Sequence, residues 1–196
     1  MTKARHDPEG RAMTEFAIHT LDSAPDGSKQ PLAALQQGLG FIPNLAATMA
    51  QSPTLIDGFI RLQQSLSHST LTGAEREVVG LTVSFENRCE YSMAAHSTFA
   101  KRQGAADEVI AALRSGRELP DARLQALHVF TRGLLRSRGH LDAGEVEALQ
   151  RAGYTTEQLL EVIAQASYTS MANWAANVTG TPVDAAFQAQ LWAAVA

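Results

Sequence analysis

Apolar residues recur three and four positions apart along most of the chain, and polar stretches with glycine or proline separate these runs. One such stripe consists of Leu55, Phe59, Leu62 and Leu66. This spacing places the side chains on one face of an α-helix. Residues that favour strands are nowhere concentrated in an alternating pattern, whereas alanine, which favours helices, accounts for 33 of the 196 residues. The pattern predicts an all-α fold.

Local signals mark where these helices begin. Ser52 precedes Pro53, a pair that suits the N-cap and first position of a helix. Thr72 and Glu75 have the spacing of a capping box, and Asp142 and Thr155 begin similar patterns. Together with the intervening glycines, these signals predict helices over Pro31–Gly38, Asn44–Gln51, Ser52–His68, Thr72–Glu86, Cys89–Gln103, Asp107–Ser115, Asp121–Ser137, from Asp142 onward, Thr155–Val178 and Val183–Ala194.

The chain contains no repeat, low-complexity tract or linker that would divide its helical part into two domains. Residues 1–28 are polar and interrupted by prolines and a glycine, so we expect a loosely packed N-terminal arm. Residues 29–196 are expected to form a single helical domain, since this length suits one hydrophobic core.

Charge and composition exclude several classes of function. The net charge is −4 and no basic stripe is present, which argues against nucleic-acid binding. No apolar run is long enough to cross a membrane, and the first residues lack the apolar core of a secretion signal, so we expect a cytoplasmic protein. A single cysteine excludes an intramolecular disulfide, and no residues suggest a metal, flavin, haem or nucleotide, so no cofactor is expected.

The stretch from residue 86 to residue 96 contains the best candidates for chemistry. Cys89, Ser92 and His96 fall on one face of a helix that begins near Cys89. The unpaired N–H groups at such a helix start favour a thiolate, and a thiol, a hydroxyl and an imidazole in line can relay a proton. Glu77 can orient the imidazole if its helix packs antiparallel to this one, and Glu86 and Glu90 are competing candidates. A structural interpretation remains open, because a lone cysteine on an alanine-rich helix is usually a small buried apolar residue.

The region from residue 71 to residue 96 resembles the core motif of the carboxymuconolactone decarboxylase and alkylhydroperoxidase D superfamily. That motif has the form Glu-x-x-Cys-x-x-Cys-x-x-x-His and follows an Arg-Glu pair in the preceding helix. The matching residues are Arg76, Glu77, Glu86, Cys89, Ser92 and His96. Residues 41–44, 52–53 and 173–187 are similar to the entry and closing segments of the peroxidase-related branch, so the resemblance extends from about residue 35 to residue 195.

The resemblance implies an all-helical domain whose active sites lie near subunit contacts in dimers, trimers or hexamers. Two tryptophans near the C-terminus, Trp174 and Trp192, also favour a homo-oligomer, because a small monomer would struggle to cover them. In the peroxidase members the second motif cysteine attacks the hydroperoxide and the first resolves the product as a disulfide. Ser92 occupies the second position here, so the two-thiol cycle is impaired.

Three hypotheses of function follow. The first is a peroxidase-related antioxidant protein, a peroxiredoxin-type oxidoreductase in which Cys89 reduces a small hydroperoxide. An external thiol then restores Cys89, while Ser92, His96, Glu77 and Glu86 serve the proton relay. The second is a cofactor-free decarboxylase-like enzyme that acts on a small carboxylated substrate through His96 and a carboxylate. The third is a catalytically degenerate member of the superfamily.

Overall fold

The computed structural model describes residues 15–194, and within this range the chain forms nine α-helices, one 3₁₀ helix and no strand. This confirms the all-α prediction. The α-helices are α1 (Asp26–Leu39), α2 (Asn44–Met49), α3 (Pro53–Leu66), α4 (Gly73–Glu86), α5 (Glu90–Arg102), α6 (Asp107–Arg114), α7 (Ala122–Arg136), α8 (Ala143–Arg151) and α9 (Thr156–Thr179).

The predicted starts of α3, α4, α8 and α9 are confirmed, because side chains satisfy free backbone N–H groups at each of them. The first helix instead begins at Asp26, earlier than the predicted Pro31. The Ser52 hydroxyl accepts a hydrogen bond from Leu55 N at the start of α3. Thr72, Asp142 and Thr155 each form a complete capping box, at the starts of α4, α8 and α9. These signals lie within four residues of the sequence, which explains why they could be recognised without the tertiary structure.

The two ends of the described range differ from expectation. The boundary expected at residue 28 lies inside α1, and the hydroxyl of Ser28 is buried and donates to Ala50 O at 2.7 Å. Residues 1–14 of the expected arm lie outside the described range. The final helix predicted over 183–194 is wrong, since only a 3₁₀ helix over Ala185–Gln190 forms there. Asp184, which begins that segment, is bound to other parts of the chain, and this contact overrides the local helical pattern.

Two apolar clusters form the interior of the molecule. The first is built on α4–α9 and includes Val79, Met93, Leu113 and Leu127. The second joins α1–α3 to α5, α9 and the C-terminal segment, and Cys89 belongs to it. α4 packs against α5, α7 and α9, so it lies between helices on several sides. The α4–α5 pair therefore lies where the two clusters meet, and its facing side chains are shielded from bulk water.

Of the two tryptophans near the C-terminus, only Trp174 is exposed. Trp192 packs against Phe85 and donates from Nε1 to Arg114 O at 2.8 Å, so the chain itself covers this side chain. Trp174 remains 62% exposed on α9. No helix within residues 15–194 combines the length and apolar character that crossing a bilayer requires.

Candidate active site

His96 and Glu77 form a close pair between α5 and α4. His96 Nδ1 lies 2.7 Å from Glu77 Oε2, and the two side chains are only 11% and 16% exposed. The antiparallel packing of the two helices therefore selects Glu77 among the three candidate carboxylates. An ionised Glu77 accepts a hydrogen bond from Nδ1–H, which leaves Nε2 of the neutral imidazole with a free lone pair.

Gly80 makes room for this imidazole. A Cβ on Gly80 would lie 2.6 Å from His96 Nδ1 and 2.7 Å from its Cε1, closer than nonbonded atoms normally approach. A glycine inside a helix is less stable than alanine by roughly 0.5–1 kcal/mol, so its presence here has a packing reason. Gly80 was not predicted as a site residue, because the only signal in the sequence was a glycine within the helical pattern of α4.

The structure places Cys89 at the N-cap of α5, as predicted, but the thiol is fully buried. Burial raises the pKa of Cys89 above its ordinary value, although hydrogen bonds from the Ser92 side chain and from the backbone of Ser92 and Tyr91 act in the opposite direction. The expected lowering of the pKa is therefore wrong. The loss of solvation raises the pKa of Cys89 more than the N–H groups at the helix start lower it, because the surrounding side chains of the second apolar cluster exclude water.

Ser92 lies between Cys89 and His96 on α5 and is also buried. It is near enough to the thiol to affect its pKa. Among the hydrogen bonds of residues 15–194, none joins Ser92 to His96, so the continuous relay envisaged from the sequence is not formed in this conformation.

Glu86 is not part of this arrangement. Its carboxylate binds Arg136 Nε at 2.8 Å and Arg132 Nε at 3.2 Å, which holds it against α7. Glu90 is exposed on α5. Glu86 occupies the last turn of α4, nine residues after Glu77, and two arginines of α7 supply the countercharges that hold its side chain there.

Two adjoining cavities meet at His96. The smaller one, about 80 Å³, is mostly apolar and is also lined by Ser92 and Tyr91. The larger one, about 360 Å³, is lined by Glu77 together with Arg76 and Arg102. Five residues line both cavities, namely Leu39, Gln63, His96, Phe99 and Tyr168. Cys89 lines neither of them. A small molecule in these cavities therefore meets the imidazole of His96 directly but not the thiol.

Tyr91 fixes the wall of the smaller cavity. Its hydroxyl donates to Asp184 Oδ2 at 2.6 Å, and the same carboxylate accepts from Asn44 N at 2.9 Å. Burial, and then the hydrogen bond to Asp184, raise the pKa of the Tyr91 phenol. This contact fastens the C-terminal segment over α2 and brings Phe187 into the cavity wall. Within residues 15–194, no three His, Cys, Asp or Glu side chains are grouped so that they could hold a metal ion.

Residues 53–132 match the model of the carboxymuconolactone decarboxylase family. None of the curated proteins matches the sequence. Solved structures share the fold. The alkylhydroperoxidase AhpD core of an uncharacterized peroxidase-related protein from Ralstonia eutropha JMP134 is 23% identical, with a TM-score of 0.78 over 90% of this chain and 95% of that chain.

Two further structures have the same fold. An uncharacterized peroxidase-related protein from Silicibacter sp. TM1040 is 22% identical, with a TM-score of 0.75 over 91% of this chain and 97% of that one. A cysteine-to-alanine variant of the debrominase Bmp8, in complex with 2,3,4-tribromopyrrole, is 21% identical, with a TM-score of 0.73 over 89% and 94%. The chain therefore carries a carboxymuconolactone decarboxylase family region at residues 53–132, within a helical fold shared with the alkylhydroperoxidase AhpD core.

Proposed function

We propose that this chain is a cofactor-free enzyme in which His96 transfers a proton at a small carboxylated substrate. The observation that carries the proposal is the Glu77–His96 pair, with its 2.7 Å contact, at the junction of the two cavities. A half-buried carboxylate beside the imidazole fixes its tautomer and stabilises the imidazolium that forms when Nε2 accepts a proton. This is the arrangement of a general base.

The proton transfer needs no external reagent. Nε2 takes a proton from a carbon next to a carbonyl group, and the electron pair of the broken C–H bond is delocalised onto the carbonyl oxygen. The imidazolium then returns the proton to another atom of the substrate, which restores the neutral His96. Decarboxylation is the related case in which the C–C bond to the carboxylate breaks and carbon dioxide leaves. An imidazolium that has taken its proton from the solvent then protonates the carbon, which restores the neutral His96.

The charges around the larger cavity support an anionic substrate. Arg76 and Arg102 line it, and the guanidinium of Arg102 lies 5.9 Å from the centre of the Phe99 ring, which lines both cavities. A carboxylate near these guanidinium groups would leave the uncharged end of the molecule in the apolar cavity beside His96. Among proteins of the same fold, the debrominase Bmp8 is described with tribromopyrrole bound, which is consistent with a cavity for a small ring.

The test uses a panel of small oxo acids and unsaturated lactone acids in deuterated water. We expect deuterium incorporation or loss of carbon dioxide with at least one member, followed by NMR. His96→Gln should lower the rate by about 100-fold or more, because it removes the base. Glu77→Gln should lower it less, and Cys89→Ala should leave it unchanged. Full activity of His96→Gln, or no reaction with the whole panel, would contradict the proposal.

A second candidate is reduction of a hydroperoxide by the single thiol, as in a peroxiredoxin-type antioxidant. The observation that favours it is the position of Cys89 at the N-cap, where Ser92 and the backbone N–H groups of Tyr91 and Ser92 stabilise a thiolate. The thiolate would attack one peroxide oxygen, the O–O bond would break, and an alcohol would leave. An external thiol would then displace the hydroxyl of the sulfenic acid as water, and a second would release Cys89 and form a disulfide.

The two candidate functions respond in opposite ways to substitution of Cys89 and of His96. With tert-butyl hydroperoxide and an excess of dithiothreitol, hydroperoxide reduction by the thiol route is lost in Cys89→Ala. Intact mass would also show one added oxygen on the wild-type chain before the reductant is supplied. Equal turnover by the wild type and Cys89→Ala would eliminate this candidate without affecting the proton-transfer proposal.

A further inference from the structure

Tyr168 lies on α9, whereas Glu77 and His96 lie on α4 and α5. The ring of Tyr168 stacks on Phe59 with a centroid distance of 4.5 Å and an interplanar angle of 16°. The side chain lines both cavities, as His96 does. The stack with Phe59 fixes the plane of the ring, so the position of the hydroxyl is also fixed.

The Tyr168 hydroxyl has no hydrogen-bond partner among residues 15–194. Burial, and next the charge of Glu77, raise the pKa of this phenol, so the group keeps its proton at neutral pH. The Tyr168 side chain is half-buried and its hydroxyl is not sealed off in the core, so the hydroxyl is open to a molecule that enters the cavities. Tyr168 lines the same two cavities as the proposed base, so its free donor is available to a ligand there.

Proton abstraction by His96 creates a need for such a donor. The electron pair left by the proton moves onto an oxygen of the substrate, and this oxygen becomes negative. Glu77 cannot stabilise it, because the carboxylate is itself negative and is bound to His96. A fixed neutral donor that is already directed at the developing charge lowers the barrier without reorganisation.

We propose that the Tyr168 hydroxyl donates a hydrogen bond to the substrate oxygen that becomes negative when His96 takes the proton. The ligand class is a small planar molecule with an enolate-like or phenolate-like oxygen. This inference rests on the proposed proton-transfer function. Gln165, one turn earlier on α9, also lines the larger cavity, but its Nε2 donates to Thr169 Oγ1.

The alternative is that Tyr168 serves only to pack against Phe59. Phenylalanine would fill the same volume and keep the aromatic stack, so Tyr168→Phe removes the hydroxyl alone. A packing role predicts no change in the affinity for any ligand. A hydrogen-bonding role predicts a change for ligands with a negative oxygen and none for neutral ligands of the same shape.

The test uses two probes with the same ring, 4-nitrophenol at a pH where it is ionised and 4-nitroanisole, which carries no charge. For 4-nitrophenolate, we expect the dissociation constant to rise about tenfold in Tyr168→Phe, the size of one hydrogen bond to a charged oxygen. For 4-nitroanisole, we expect no change. The control is Tyr154→Phe, a buried tyrosine that lines neither cavity, and it should affect neither probe.

An equal change for both probes in Tyr168→Phe, no change for either, or no binding of 4-nitrophenolate to the wild-type chain would each overturn the inference. The binding experiment involves no turnover, so its result is independent of whether His96 is the base. If the phenolate depends on Tyr168 while His96→Gln keeps full activity, the proposed function fails and the donor site stands. If His96→Gln loses activity while phenolate binding does not depend on Tyr168, His96 is the base and Tyr168 has only a packing role.

Discussion

Gly80 and His96 face each other across the α4–α5 contact so closely that position 80 has no space for a side chain. The glycine lies one turn after Glu77 on the same helix. The backbone of α4 thus supports one side of the imidazole, and the Glu77 carboxylate fixes its rotation. The orientation of His96 is determined by two residues of the neighbouring helix.

Gly80→Ala is expected to displace the imidazole and to break the Glu77–His96 hydrogen bond. We predict at least a tenfold loss of the His96-dependent activity, since a displacement of about 1 Å can reduce a rate substantially. Gly58→Ala is the matched control, because Gly58 lies within α3 and nothing lies within 4 Å of the added methyl group. NMR of the histidine ring protons in both variants measures the displacement. Unchanged resonances of His96 in Gly80→Ala would contradict the prediction.

His128 is expected to make the stability of the fold dependent on pH. Thr82 Oγ1 donates to Val78 O, so it accepts from His128 Nδ1–H, which lies 2.8 Å away. His128 Nε2 is buried without a partner among the described residues, and burial, then the nearby charge of Arg132, lowers the pKa to about 4. Protonation would therefore place a charge and an unpaired N–H in the core.

Because the unfolded chain takes up this proton at a higher pH than the folded chain, the free energy of unfolding falls as the pH is lowered from about 6.5 to about 4. The shift corresponds to a loss of roughly 3 kcal/mol. Urea denaturation of the wild type and of His128→Gln across this range isolates the contribution, and His68→Gln, at an exposed histidine, serves as control. If the free energy of unfolding varies with pH in the same way in the wild type and in His128→Gln, this prediction is refuted.

Asp184→Ala should destabilise the fold through the two donors that it leaves without an acceptor. The phenol of Tyr91 and the backbone N–H of Asn44 both bind this carboxylate. Leaving two such groups unpaired in a buried site costs about 3 kcal/mol. Asp57→Ala, which removes an exposed i,i+4 ion pair with Arg61, should be within error of the wild type. Equal midpoints of urea unfolding for the two variants would count against the role of Asp184.

Cys89 should react slowly with alkylating reagents in the folded chain. Burial raises its pKa, so the thiolate fraction near neutral pH is small, and the thiol has no contact with either cavity. We expect the rate of modification by iodoacetamide to rise with a midpoint above the ordinary thiol pKa. In urea, the same thiol should react at the rate of an unstructured cysteine. Rapid alkylation of the folded chain at pH 7 would instead favour the hydroperoxide route.

We propose that the exposed apolar surface around Trp174 is covered by a second copy of the chain. Trp174 and Val178 are 62% and 64% exposed, and they border an apolar cleft of about 450 Å³. Trp174→Glu should lower the molar mass measured by light scattering, because burying the new carboxylate is unfavourable. Leu160→Glu, at an equally exposed apolar residue of α9, should leave the mass unchanged. A wild-type chain with the mass of a monomer would exclude the proposal.

The helical class and nearly every helix start follow from local patterns in the sequence. Ser52, Thr72, Asp142 and Thr155 act within four residues of their own position, and the apolar spacing shows which face each helix buries. The motif residues Cys89, Ser92 and His96 could be placed on one helical face for the same reason. The sequence failed over residues 183–194, where the remote contacts of Asp184 outweigh the local preference.

Which of these residues act together depends on the packing of the helices against one another. Three carboxylates were possible partners for His96, and the packing of α4 on α5 selected Glu77, while two arginines of α7 bind Glu86. Gly80 belongs to the site because its backbone lies close to His96. Tyr168 belongs to it because this part of α9 lines the cavity. The pKa of Cys89 depends on how completely water is excluded from the thiol. That exclusion results from side chains distant in the sequence, which no local pattern specifies.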